Sequence, residues 1–176
     1  MNLTDVSADG KFLSFSSGGV VNMVALTGSD PMARKAIEFS REEFDTVQGR
    51  FSPDVRFVAY GSNEADRDKM DLYVRPFDAA TGMATGTAKA RVSTEGGNGM
   101  LTWRADGREL YWVRLDQESG DGFVMAADIS TTPALQPGPP RVLFKLTNAR
   151  QRVNSPGSIS RDGQQFVFTL MNPPAK

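Results

Sequence analysis

The sequence predicts an all-β chain built of repeated antiparallel blades, and two observations predict it. One short phrase recurs four times, as "SADGKFLSF" (7–15), "SPDVRFVAY" (52–60), "RADGRELYW" (104–112) and "SRDGQQFVF" (160–168). Its aspartates, Asp9, Asp54, Asp106 and Asp162, lie 45, 52 and 56 residues apart. Periods of about 40–50 residues are typical of four-stranded propeller blades. Each Asp also sits in a tight polar turn, followed by Gly in three copies, and Asp-Gly is a strong hairpin signal.

The elements follow in order. After the first turn come "FLSF", then "VVNMVAL" (20–26) and "KAIEF" (35–39). The stretch "DPMARKAIEFSREEF" (30–44) has a helical start, with Asp30 as N-cap and Pro31 at the first position. The repeat frame places a strand and a loop there instead. The second period offers "FVAY", "DLYVRPF" (71–77) and "KARVS" (89–93). The third offers "ELYWV", "GFVMAAD" (122–128) and "RVLFKL" (141–146), and the fourth "FVFTL". Their alternating or continuous apolar character reads as half-buried strand. "DAATGMATGT" and "STTPALQPGPP" are rich in Gly, Pro, Thr and Asp, which punctuate strands.

This count makes one domain over 1–176, with blades at about 1–46, 47–95 and 96–148 and a partial blade at 149–176. That is about three and a half four-stranded blades. Closed propellers use four to eight, so the expectation is an incomplete propeller or one completed by oligomerisation. Two prolines in the closing "LMNPPAK" cannot extend a ladder. Raw sheet edges invite pairing with another chain, and a fragment-like chain that associates with itself is the reading favoured.

Composition excludes whole classes of chemistry. With 39% hydrophobic and 23% charged residues, the 176-residue chain reads as globular. A net charge of −1 supplies no basic field for nucleic acid or an anionic membrane. No apolar run approaches the roughly 20 residues that span a bilayer, so no membrane insertion is expected. The opening "MNLTDVSADGKF" lacks the basic and apolar regions of a signal peptide, so the chain as it stands reads as cytoplasmic. There is no Cys and no His. Thiolate catalysis, a Ser-His-Asp triad and His- or Cys-ligated metals are therefore impossible within it. Any metal would be held by oxygen, which points to calcium or magnesium. No GxSxG elbow and no SxxK occurs to suggest a serine hydrolase.

"FSPDVRFVAYGSNEADRDKMDLYVRPF" resembles the TolB-type, WD40-like propeller repeat, and "LTWRADGRELYWV" and "SISRDGQQFVF" match the same frame. The motif order, through "VRPFD", "RVSTEGG", "WRADGRELYW" and "PRVLF", is similar to the propeller on the C-terminal side of some bacterial membrane-anchored Ser/Thr kinases. Val55 departs from the turn Gly, and Ala8 and Ala105 from the Pro. The resemblance implies a propeller fold and an often extracytoplasmic setting. It implies no kinase activity, because no Gly-rich loop or catalytic-loop motif occurs.

Several residues invite a functional reading. The turn aspartates read first as side chains bonding their own backbone. Asp66, Asp68 and Asp71 put three carboxylates within six residues, the kind of cluster calcium takes. They lack the Gly and closing Glu of an EF-hand, and a solvated loop is the simpler reading. "LDQESGDGF", with Asp116, Glu118 and Asp121, occupies the equivalent loop one blade on. Phe12, Phe15, Phe57, Tyr60, Tyr73, Trp103, Tyr111, Trp112, Phe166 and Phe168 fall inside strands, where packing between sheets is the default. Tyr111 and Trp112 are adjacent, so one of them should face outward or into a neighbouring blade. "RVSTEGGNG" (91–99) joins two blades near the expected channel, where glycines let a ligand approach.

The expected function is a protein- or peptide-binding module, with a partner docking on a rim, the channel mouth or an open edge. The alternative is a calcium-dependent lactone or ester hydrolase, as in propellers of similar architecture, with Asp66, Asp68 and Asp71 as metal ligands. Calcium is the one candidate cofactor. A purely structural, oligomerising fragment is the third reading.

Overall fold

A computed structural model describes residues 1–39, 43–97, 99–147 and 153–170. Its strands are antiparallel throughout and fall into four sheets. The first joins β1 (Asn2–Val6), β2 (Phe12–Ser17), β3 (Val20–Ala25) and β4 (Ala36–Glu38) in sequence order. The second runs β5 (Thr46–Phe51), β6 (Phe57–Ser62), β7 (Asp71–Asp78), with β8 (Met83–Ala84) and β9 (Ala90–Arg91) both on the outer side of β7. The third repeats that plan with β10 (Gly99–Trp103), β11 (Glu109–Leu115), β12 (Gly122–Ser130), β13 (Gln136–Pro137) and β14 (Arg141–Leu146). The fourth pairs β15 (Val153–Ile159) with β16 (Phe166–Leu170).

These sheets are the blades of an all-β, antiparallel, incomplete propeller. Their first strands, β1, β5, β10 and β15, contact one another in series and form the inner wall. Large side chains fill each interface between blades. Phe12, Met23 and Phe39 of the first sheet meet Phe51, Tyr60 and Phe77 of the second. Leu72 and Val74 meet Trp103, Leu110 and Trp112 of the third. Tyr111 and Val113 meet Phe166 and Phe168 of the fourth. Tyr111 and Trp112 thus face different neighbours, as side-chain alternation along a strand requires.

Local chemistry sets the turns and bends. Ser7 Oγ donates to Asp9 (2.6 Å) and accepts from Phe12 N (2.9 Å). Ser52 repeats this with Asp54 and Phe57 (2.6 and 3.0 Å), and Ser160 with Asp162 and Gln165 (2.5 and 2.9 Å). In the third copy Arg104 replaces the serine and its guanidinium holds Asp106. The turn Gly has φ near +70°, and Val55 adopts the same conformation at φ 57°. The pairing of β5 slips between Val47 and Arg50. A Cβ on Gly49 there would lie 2.6 Å from Val21 Cγ1, so glycine lets the first two blades close.

Two details differ from the sequence reading. The turn-rich runs each contain a two-residue strand, β8 and β13, pairing back onto β7 and β12. The helical start is real but brief. Pro31–Ala33 form one 3-10 turn, Asp30 Oδ1 accepts from Met32 N (2.9 Å), and the strand β4 follows. No helix among the described residues is long and apolar enough to cross a membrane. The "LMNPPAK" segment from Met171 onward lies outside the described residues.

Candidate functional site

The loop that follows β9 crosses from the outer edge of the second blade to the inner wall of the third. Asp71, the first residue of β7, latches it. Its carboxylate is fully buried and accepts from Gly96 N (2.9 Å) and Ser93 Oγ (3.2 Å), and it pairs with the Arg91 guanidinium. Ser93 Oγ also accepts from Leu72 N (2.9 Å). Lys69 Nζ caps Thr94 O (3.0 Å), and Gly97 N donates to Met70 O (2.9 Å).

Beneath the latched loop is a cavity of about 170 Å³. It is lined by residues 93–96 of the loop, by Trp112 and Arg114 of β11, and by Met125 and Pro140. Trp112 and Arg114 share a face because they are two residues apart on one strand. Arg114 is fixed from two sides. Its Nη1 donates to Glu95 (2.7 Å), and its guanidinium lies 4.8 Å from the Phe123 ring centroid. A Cβ on Gly97 would fall 2.7 Å from Leu72 Cγ and 3.0 Å from Trp112 Cδ1, so this glycine permits close packing of the loop. Trp112 Nε1 and Arg114 Nε are buried without a hydrogen-bond partner.

A second hollow of about 240 Å³ sits where β1, β5 and β10 meet, lined by Asp5, Arg50, Thr102 and Trp103. Burial raises the Asp5 carboxyl above its ordinary range, against bonds from Phe51 N (2.9 Å) and Val6 N and the nearby Arg50 charge. Burial likewise lowers Arg50, which donates to Thr4 O.

The suggested metal residues do not converge. Asp66 and Asp68 lie in the exposed loop, where Asp66 Oδ1 accepts from Asp68 N (3.1 Å). Asp71 is committed to Arg91, Ser93 and Gly96. Asp116 turns onto its own backbone, accepting from Ser119 N and Glu118 N, and Asp121 pairs with Lys145 (2.6 Å). Among the described residues no three acidic side chains form a group able to hold a metal. The four turn aspartates bond their own turns and lie on separate blades, so no catalytic pair arises from them. Sequence reasoning marked 91–99 and read Trp112 as core, where it lies, but passed over Arg114. The two-residue spacing of Arg114 from Trp112 on a strand next to that loop is the signal that could have found it.

The architecture places the chain among propeller-type proteins. The solved structures it resembles include a candidate TolB from Agrobacterium tumefaciens (TM-score 0.66, 16% identity) and TolB from Acinetobacter baumannii (0.57, 21%). A candidate 6-phosphogluconolactonase from Bacteroides uniformis is a third (0.58, 12%). The chain is covered over 97, 92 and 94% of its length, yet spans only 58, 35 and 46% of theirs. At these identities the likeness shows the fold alone. No family model and no curated protein matches the sequence.

Proposed function

We propose that the chain is a protein- or peptide-binding module that takes an extended segment along the outer edge of β14. The contrast among outer strands carries this reading. β4 and β9 have three and two residues, whereas β14 has six. Short outer strands blunt an edge, and a long one offers a row of backbone donors and acceptors. Among the described strands β14 pairs with β12 alone. Its Val142, Leu143 and Phe144 are 52, 39 and 37% exposed, and Val167 on β16 is 62% exposed. Phe144 packs edge-on against Phe166 at 5.3 Å, so these side chains bridge two blades. Apolar patches of this kind mark interaction surfaces. Strand addition would draw affinity from the backbone and specificity from alternate side chains. A second copy of the chain meets the same requirement, so self-association is one form of this activity.

Selection of extended peptides on the immobilised protein, followed by amide hydrogen exchange, tests the reading. Enriched peptides should slow exchange across 141–146. Enriched peptides that leave that segment unprotected would place binding elsewhere.

A calcium-dependent lactone or ester hydrolase is the second reading. Its support is the oxygen-only ligand inventory of a chain without His or Cys, and Asp66, Asp68 and Asp71 would be its ligands. It requires Asp71 to leave Arg91, and it expects lactone hydrolysis and a melting temperature that both fall in chelator. A purely structural role expects neither peptide capture nor a calcium response.

A further inference from the structure

The repeat puts one cross-strand pair at the same place in every blade. It is Val6–Leu13 in the first sheet, Phe51–Val58 in the second, Trp103–Leu110 in the third and Ile159–Phe166 in the fourth. Two residues beyond the second member of each pair, on the same face of the strand, stand Phe15, Tyr60, Trp112 and Phe168. In the last three sheets these residues pack against the preceding blade. Accordingly β6 is buried on both faces from Val58 to Ser62, and β11 from Glu109 to Val113. β2 alternates instead, with Phe12 and Ser14 buried and Leu13 and Phe15 half-buried. Val6 is 48% exposed, and Leu3, which pairs with Phe15, is 65% exposed. None of the interblade cores among the described residues includes them.

We infer that the first blade carries a fourth copy of the interblade docking face, and that a four-stranded blade of another polypeptide covers it. The occupied copies define what this partner offers, because the same interface continues onto the first blade. Ala59, Leu72 and Val74 cover the face of the third blade, and Tyr111, Val113, Val124 and Ala126 that of the fourth. Both sets are apolar side chains on the second and third strands of a sheet. The latter set is the closer template, since Ile159, Phe166 and Phe168 come nearest in size and shape to Val6, Leu13 and Phe15. Covering them removes from water large apolar groups that the first blade leaves partly in it. A second copy of the chain meets the requirement poorly. Its matching face is on the fourth sheet, where Val167, at the position of Ala59 and Tyr111, is 62% exposed. Among the described residues that sheet has two strands, with no third strand to supply counterparts of Val124 and Ala126. The face is separate from the β14 edge, and either can fail without the other.

A fusion supplies the covering blade as the probe. A second copy of residues 96–153 is placed directly before residue 1, which gives Asp9 the spacing from residue 153 that Asp162 has. Tethering raises the effective concentration of the added blade without any new contact. Photochemical carbene labelling, read by mass spectrometry, should mark Leu3, Val6 and Phe15 in the unfused chain. In the fusion their labelling should fall to the level of Val58 and Tyr60, which are already covered. Amide exchange in the added strands should be as slow as in β11 and β12. Val6→Lys should leave the melting temperature of the unfused chain within about 1 °C. In the fusion it should restore labelling at Leu13 and Phe15. The proposal fails if the added segment exchanges as an unfolded chain does, if it leaves labelling of the face unchanged, or if Val6→Lys alters neither reading. The unfused wild type decides the source independently of any variant. Labelling of Leu3 and Val6 should stay constant as its concentration rises, and protection there would make a second copy the occupant and overturn the assignment to another polypeptide.

Discussion

Val55 holds a conformation that suits glycine, at φ 57°, in the only copy of the turn where the sequence departs from Asp-Gly. A β-branched residue there is strained by roughly 1–2 kcal/mol. Part of that is offset because Val55 packs against the first interblade core. Val55→Gly should therefore stabilise the chain by about 0.5–1 kcal/mol, raising the melting temperature by about 1–4 °C. A fall on calorimetry would mean that the packing outweighs the strain. The bonding in these turns was legible in the sequence because it is local, carried by Ser, Asp and the next amides. It also sets an acid response. Serine hydroxyls and backbone N–H groups hold Asp9 and Asp162 below the ordinary carboxyl range, and Arg104 does so for Asp106. For Asp54 burial pushes upward, but Ser52 and Arg56 outweigh it. A carboxyl lowered in the folded state contributes stability above its unfolded value of 3.8, and that stability is lost as pH falls through the folded value. Ser52→Ala removes the bond to Asp54 and strands Phe57 N. The urea midpoint at pH 7 should drop by the equivalent of about 1–3 kcal/mol, with a smaller further loss between pH 5 and 3 than in wild type. An unchanged midpoint would show that water replaces the hydroxyl.

At the scale of elements, the second strand of each blade and the third strand of the first three were legible because apolar runs mark them. β8 and β13 were not, because each is two residues held by backbone pairing inside a Gly- and Pro-rich run. The surroundings of the three clustered aspartates were hidden for a related reason. Asp66, Asp68 and Asp71 share a sequence window, but β7 begins at Asp71 and turns that side chain inward, leaving the other two in an exposed loop. The carboxylate that looked most like a ligand is the latch of the loop at 91–97. Asp71→Ala leaves Arg91, Ser93 and Gly96 N without their acceptor. Arg91 is 37% exposed and can reach water, so the expected loss is about 2–3 kcal/mol rather than the full cost of an abandoned buried charge. Amide exchange should quicken at 93–97 before it does so in β7. Equal quickening in both would make Asp71 a core group of the blade and not a latch of the loop.

Over the whole molecule, successive blades bury their facing sides against one another, and the chain's protection against its own edges is uneven. β4 and β9 are too short to template a partner, whereas β14 runs six residues with three apolar side chains partly in solvent. Arg141 and Lys145 flank the strand, and a one-residue bulge falls at Leu143, where Phe144 pairs with Val124 and Val142 with Met125. Charges and bulges discourage stacking of edges, so pairing should be weak and reversible. The mass measured by light scattering should rise with protein concentration, from monomer at micromolar to dimer well above it. Leu143→Lys places a charge in the middle of the patch, at a position exposed enough that melting should move by less than about 1 °C. That variant should stay monomeric across the same range. If it associates as wild type does, the contact lies elsewhere. If wild type is monomeric throughout, the edge is reserved for an extended segment of another protein, and the peptide selection decides.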